Sequence, residues 1–262
     1  MSIFCENDVQ TVREDQLMLA YGSHPELAGL SDPAILNKLR VSERDIARQL
    51  KVFLEPTVIF PYEPTDAEIE ALEGKPWVEE TGYDYDPDFF QGDSWGFMVL
   101  DARPIISVDR VRFAFPSQNT GLFEFPKEWI RVDKKAGQLR MIPINQAVTM
   151  PLNIFLMQAL GGGRSIPYML QVNYTAGLKD VKTNWPDLVD VIVKNAVLSM
   201  VKGAFKPQSG SISADGLSQS ASFDTDKYED VIQHALFGPK GSNGGFWTAI
   251  HGLPGTALGA GR

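Results

Sequence analysis

The run Tyr168-Met169-Leu170-Gln171-Val172-Asn173-Tyr174-Thr175-Ala176-Gly177 alternates: Tyr168, Leu170, Val172 and Tyr174 fall on one side, Met169, Gln171, Asn173 and Thr175 on the other. A period of two marks a half-buried strand, and the closing glycine is a turn signal. After Trp185-Pro186-Asp187 the period changes. Leu188, Val189, Ile192, Ala196 and Val197 share one face of a helical repeat, Asp190, Lys194 and Lys202 lie opposite, and Gly203 is a stop signal. Strands collected on one side of this junction and helices on the other place the chain in the α+β class.

Upstream, Val111, Phe113 and Phe115 alternate with Arg110, Arg112 and Ala114. Trp129-Ile130-Arg131-Val132-Asp133 and Gln138-Leu139-Arg140-Met141-Ile142 flank Lys134-Lys135-Ala136-Gly137, which reads as a hairpin with a short glycine-containing loop. The strands run from about Phe97 to Thr175, interrupted by Gly161-Gly162-Gly163, and Gly74 to Asp101 reads as a long surface loop of turn residues, acids and aromatics. Nearer the start, Asp32-Pro33 opens a helix and Ser42-Glu43-Arg44-Asp45 fits a capping box. Ile46, Leu50, Phe53 and Leu54 continue at helical spacing until Pro56 and Pro61, and Thr65-Asp66-Ala67-Glu68 begins a short helix carrying Ile69 and Leu72. Downstream, Pro207 to Phe223 is rich in Ser and Gly. Asp226 and Glu229 open a last helix with a stripe of Tyr228, Val231, Ile232, Ala235 and Leu236. The expected organisation is a helical bundle block built from both ends of the chain, with an inserted antiparallel β region and an extended C-terminal tail. Its parts are an N-terminal helical part (1–76), a loop plus β region (77–178), a C-terminal helical part (179–238) and a glycine-rich tail (239–262).

The chain has 24 Lys plus Arg against 33 Asp plus Glu, a formal charge of −9, with 44% hydrophobic and 22% charged residues in its 262. This composition suits a globular chain with a buried core. The acidic balance argues against gripping nucleic acid by neutralising phosphates, which needs a basic face, yet agrees with a surface that DNA passes without sticking. Cys5 alone makes neither an internal disulfide nor a thiolate zinc site, which points to a reducing compartment. The first residues have no basic region before an apolar run, and no stretch approaches the roughly 20 apolar residues of a membrane span. A soluble protein made in a cytoplasm, with no membrane partner, is the expectation.

Motifs for chemistry are sparse. His24, His234 and His251 match no metal spacing. Asp84-Tyr85-Asp86-Pro87-Asp88 begins like a calcium loop, but its sixth and twelfth positions are Phe89 and Trp95. Gly161-Gly162-Gly163-Arg164-Ser165 lacks the lysine of a phosphate loop, and no nucleophile elbow occurs. The pairs Glu79 with Glu80 and Asp84 with Asp93 have the chemistry of a glycosidase but little specificity in so acidic a chain. Trp77, Tyr83, Tyr85, Phe89, Phe90 and Trp95 either stack on a carbohydrate or pin the loop to its own domain or to a neighbouring subunit. In the tail, Phe246, Trp247, Ile250 and Leu253 are spaced like anchors that insert into a partner's groove.

The strand ending Val172-Asn173-Tyr174-Thr175-Ala176-Gly177, the helix after Pro186, the stretch Ser209-Gly210-Ser211-Ile212-Ser213-Ala214-Asp215-Gly216-Leu217-Ser218-Gln219-Ser220 and a short closing helix follow one another in an order that resembles the head-to-tail adaptor (connector) proteins of tailed bacteriophages. Arg103-Pro104-Ile105-Ile106-Ser107-Val108 and Pro126-Lys127-Glu128-Trp129-Ile130 are similar to strand entries in long members of that group. The likeness covers roughly Val41 to Phe237, and small connectors are mostly helical, so the β region would be an insertion. The resemblance implies a structural virion protein of the phage neck, synthesised in the bacterial host cytoplasm, without catalysis or cofactor. It implies a homo-oligomeric ring, commonly of twelve copies, that binds the portal protein, receives the next neck or tail-completion protein, and keeps a channel open for DNA. By the same resemblance the C-terminal segment grips the portal, with Phe246, Trp247, Ile250, Leu253 and Arg262 as the contacts. The rival expectation is a cell-surface carbohydrate-binding module or glycosidase using the Trp77–Trp95 loop.

Overall fold

A computed structural model of the chain describes residues 2–17, 25–90, 95–114, 121–144, 165–204, 225–239 and 244–252. The fold is α+β, and two compact units divide it: Met1–Leu50 with Asp180–Ala249, and Lys51–Lys179 with Ile250–Gly252. No helix among the described residues is long and apolar enough to cross a membrane.

The helical unit contains α1 (Glu6–Val12), α2 (Asp32–Leu50), α4 (Val181–Asn184), α5 (Pro186–Ala204), α6 (Thr225–Phe237) and α7 (Gly245–His251) up to Ala249; the last two residues of α7 and the intervening α3 (Asp66–Glu70) belong to the other unit. α5 is its centre and packs against α2, α4 and α6. Leu188, Ile192, Ala196 and Val197 are buried as the helical repeat requires, and Val191, Val193, Leu198, Met200 and Val201 are buried too, so α5 is covered on most sides. α2 buries Ile35, Leu36, Leu39, Ile46 and Leu50 at three- and four-residue steps. Two charged pairs tie distant segments together, Lys182 with Asp8 at 2.8 Å and Lys202 with Glu229.

Four sequence expectations change here. Asp32 to Leu50 is one helix, so Ser42 does not start a new one. Its hydroxyl is buried, donates to the Ile192 carbonyl oxygen at 2.7 Å and accepts from Asn195 Nδ2 at 3.0 Å, which makes it a polar link between α2 and α5. The helix also stops at Leu50, where Lys51 adopts a φ of 51°, so Phe53 and Leu54 lie beyond it. In α6, Ile232 and Leu236 are buried but Val231 is 58% exposed, because the helix turns that edge of its stripe outward. The Gly203 stop is overrun by one residue, since α5 includes Ala204.

The second unit holds the strands. β1 (Thr57–Phe60), β2 (Trp77–Glu79), β3 (Tyr83–Tyr85), β5 (Ile105–Ala114), β6 (Gly121–Glu124) and β9 (Ile166–Ala176) make a sheet in the order β2-β1-β9-β5-β6, with β3 also on β9. A smaller sheet has the order β4-β8-β7, from β4 (Met98–Val99), β7 (Ile130–Asp133) and β8 (Gln138–Met141). All pairings are antiparallel except β1 with β2, so the β region is mixed rather than purely antiparallel. The hairpin read from sequence is present, with Arg131 opposite Arg140 and Val132 opposite Leu139. The Arg103-Pro104-Ile105 segment leads into β5, and Lys127–Trp129 is a short 3-10 turn before β7. One apolar cluster joins Ile59, Val111, Phe113, Val172 and Tyr174 of the large sheet to Leu100, Trp129, Leu139 and Met141 around the small one.

This unit starts earlier than the expected boundary at residue 77. β1 lies between Pro56 and Pro61, and all four of its residues are buried, so no alternation announced it. The short helix expected from Thr65 is α3 (Asp66–Glu70), and a capping box between Thr65 and Glu68 starts it. The stretch read as a surface loop, Gly74 to Asp101, contains β2, β3 and β4, each too short for a period to show. In the tail the expected extended chain is replaced by a helix from Gly245 to His251, with Phe246 and Trp247 in ring contacts at 6.4 and 6.2 Å to Trp185 and Phe237. Large apolar residues within reach of aromatic partners in the same chain drive that local folding. The Gly161–Gly163 and Pro207–Phe223 stretches and Phe115 lie outside the described residues.

At the exit of β9, Gly177 has a φ of +119°, and an added Cβ would lie 2.5 Å from the Glu55 carbonyl oxygen and 2.9 Å from that of Phe53. Only glycine fits both the dihedral and the space. Gly177→Ala is expected to cost about 2 kcal/mol or more in a urea-unfolding measurement; a change within about 0.5 kcal/mol would show that this junction yields easily.

Candidate functional site

Two polar networks grow out of β9, one on each face of the large sheet. On the first, Arg110 and Arg112 of β5 stand opposite Asn173 and Gln171 of β9. Their shared neighbour is Tyr62, whose hydroxyl donates to Glu68 Oε1 at 2.7 Å and accepts from Asn173 Nδ2 at 3.2 Å and from the Arg110 guanidinium. The Arg112 guanidinium lies 4.8 Å from the centre of the Tyr62 ring, and its Nε donates to Gln171 Oε1 at 2.8 Å. Burial raises the Glu68 carboxyl. The Thr65 amide, the Tyr62 and Thr65 hydroxyls and Arg110 outweigh it and hold the group below its usual range. Burial, reinforced by the bond to Glu68, pushes the Tyr62 phenol up, and burial beside Arg110 pulls Arg112 down. Asn173 Oδ1 is buried without a hydrogen-bond partner. The network is held by opposite charge and stacking, and it fastens α3 to the sheet.

The second network centres on Tyr174. Its hydroxyl donates to Glu80 Oε2 at 3.0 Å and accepts from the Ala102 amide at 3.2 Å, with the Tyr83 hydroxyl at 3.5 Å. Tyr83 in turn accepts from the Asp101 amide at 3.0 Å. Burial raises both phenols, Tyr83 to about 12, and Tyr174 is raised further by its neighbours Tyr83 and Glu80. Glu80 is raised by burial and by Asp101, against the opposing bond from Tyr174. Through Glu80 and the Ala102 amide, the Tyr174 hydroxyl ties the chain after β2 and the chain after β4 to the central strand.

The residues singled out from sequence fall in several places. Tyr85 is buried, and Phe90 packs at 5.2 Å from it and 5.7 Å from Phe113, so these two aromatics belong to the core. Tyr83 serves the Tyr174 network, Trp77 and Trp95 remain 37% and 41% exposed, and the Phe89 side chain and Asp93 lie outside the described residues. Asp84 Oδ1 accepts from the Tyr168 amide and Asp86 Oδ1 from the Asp88 amide, at 3.1 and 2.9 Å, so these carboxylates brace the loop. Among the described residues no three His, Cys, Asp or Glu side chains come together as a metal site. Of the five tail contacts, Phe246 and Trp247 pack within the chain and Ile250 is 1% exposed; Leu253 and Arg262 lie outside the described residues. Ile250 is thus committed to the chain's own interior. Sequence reading missed Tyr62 and Tyr174 as hubs. The signal was the polar set Arg110, Arg112, Gln171 and Asn173 on strands otherwise rich in large apolar residues.

Because the folded chain raises Glu80 above the unfolded value of 4.5, this group adds stability below that pH and loses the contribution as pH rises through the folded value. Glu80→Gln keeps an acceptor for Tyr174 and removes the charge. It is expected to raise the melting temperature by a few degrees at neutral pH, with the difference shrinking toward acid; a difference that stays constant with pH would contradict the burial of that charge. No known protein-family model matches the chain, and no curated protein matches its sequence.

Proposed function

We propose that the chain is a structural protein of a bacteriophage neck: a homo-oligomeric ring that joins the portal to the next neck or tail component and leaves a channel for DNA. The observation that carries this reading is the order β9, α5, α6, with α5 packed on both α2 and α6, which is the stretch on which the resemblance to connectors rests. The helical unit is assembled from both ends of the chain and the strands lie between them, as an insertion between connector helices would be arranged. The charge of −9 supports a conduit, since an acidic lining repels passing phosphate. The protein works by assembly, with self, portal and a tail-side neighbour as partners, in the virion.

Quantitative mass spectrometry of purified virions is expected to find about a dozen copies per particle, the number the resemblance implies; absence from particles would sink the reading. Since Ile250 is buried, the portal grip falls on the segment after Gly252, where Leu253 and Arg262 stand. Removing residues 253–262 is expected to abolish capture by portal rings, with circular dichroism checking that the shortened chain folds. Undiminished capture would move the portal contact elsewhere on the chain.

A further inference from the structure

Charge is segregated within the strand-bearing unit. Between Glu63 and Asp88 the chain carries ten carboxylates against one lysine, Lys75, whereas residues 127–140 carry five cations against Glu128 and Asp133. The acidic stretch contains α3 and β2, the terminal strand of the large sheet. The basic stretch contains the β7–β8 hairpin, with β7 the terminal strand of the small sheet.

Arg131, Lys134, Lys135, Gln138 and Arg140 line an open groove of about 660 Å³ on the hairpin. Arg131 and Arg140 are cross-strand partners, and the Arg140 guanidinium lies 5.4 Å from the centre of the Phe97 ring. Asp133, the one carboxylate on the groove, accepts from the Lys135 and Ala136 amides at 3.1 Å and so shapes the turn. Arg131 donates to the carbonyl oxygens of Glu128 and Ile130, and neither Lys134 nor Lys135 has an ion pair among the described residues. Beside the groove, Val99 of β4 is 41% exposed opposite Gln138, and the equally exposed Trp95 accepts from the Met141 amide through its carbonyl. The acidic stretch has the opposite sign: Asp66, Glu70, Glu73 and Glu79 are exposed, and Trp77 and Ile69 of the same stretch are 37% and 36% exposed.

We infer that these two edges are the halves of one contact between copies: the basic β7–β8 groove of one copy receives the acidic α3–β2 edge of a second. Each half combines an exposed tryptophan with charge that is mostly of one sign, and in such interfaces aromatic anchors supply affinity and charge supplies register. The second copy carries the needed counter-charge on every molecule, whereas a polyphosphate must approach a chain whose total charge is −9. A contact between two different surfaces of one chain repeats head to tail and closes into a ring or runs on as a filament. The inference deepens the ring reading and rests on it for closure.

Sedimentation velocity of the full chain is expected to show oligomers at about 50 mM salt that dissociate at about 500 mM, where screening reaches only a few ångströms. Lys134→Glu with Lys135→Glu, and separately Glu70→Lys with Glu79→Lys, are each expected to weaken association at least about tenfold. The quadruple variant, with both edges reversed, is expected to regain it, and circular dichroism checks that all variants fold. A monomer at both salt concentrations, or oligomers indifferent to the hairpin reversal, overturns the inference. So does binding of duplex DNA that the hairpin reversal removes, which would assign the groove to nucleic acid. The virion count separates the two claims. A dozen copies with charge-insensitive rings refutes the contact and keeps the neck reading, while charge-swapped rescue in a chain absent from virions does the opposite.

Discussion

β9 has hydrogen-bonded neighbours along both of its edges, with β1 and β3 on one and β5 on the other, and Met169 through Tyr174 are all buried. Over that stretch no side chain is left to water, so each face must complete itself. Val172 and Tyr174 do so with hydrocarbon from β1, β5 and the small sheet. Gln171 and Asn173 cannot, because a buried amide without partners is costly. Their position on β9 calls for Tyr62, Arg110 and Arg112 on the same face, and through Tyr62 for Glu68 and the short α3. Even the Tyr174 hydroxyl, at the rim of the apolar face, needs Glu80 and the Ala102 amide.

The helical unit solves a similar problem around α5. That helix is buried on most sides, so its neighbours approach closely, and the buried Ser42 hydroxyl of α2 is satisfied by the Ile192 carbonyl and Asn195. Glu43, next to it and also buried, accepts from the Ile3 amide at 3.0 Å and from the Ser2 hydroxyl. These bonds reach across long stretches of sequence. They explain why a serine and a glutamate that resemble a capping box stand in the middle of a continuous helix.

Legibility in the sequence followed the length of the repeating pattern. β9, the β7–β8 hairpin, α5 and α6 are long or carry a strong turn signal and were readable at nearly their observed limits, whereas the alternation of β5 showed only from Arg110 although the strand begins at Ile105. β1 was hidden because both of its faces are buried, which removes alternation and leaves an apolar run between prolines. β2, β3 and β4 were hidden because two or three residues hold no period, and their partners lie far along the chain. The polar hubs were hidden for another reason: Tyr62 acquires its role only when β1, β5 and β9 are brought side by side. The aromatic loop was half legible, since Tyr85 and Phe90 turn inward as core while Trp77 and Trp95 stay at the surface. The tail helix went unseen because seven residues between glycines carry too little pattern to overcome the glycine signal.

By itself the sequence determined the α+β class, the change from strands to helices near Trp185, the excess of acid and the single cysteine, because each is set by local periodicity or by counting. It also held the separation of acid in residues 63–88 from base in 127–140, since charge is a property of composition. The tertiary structure alone decided that those charges stand at the terminal strands of two different sheets, that Ile250 turns inward, and that Arg110 and Arg112 are braced by a tyrosine far along the chain. The reason is that hydrogen bonds and ion pairs depend on distances of a few ångströms, which the packing of separate segments sets and the order of residues does not.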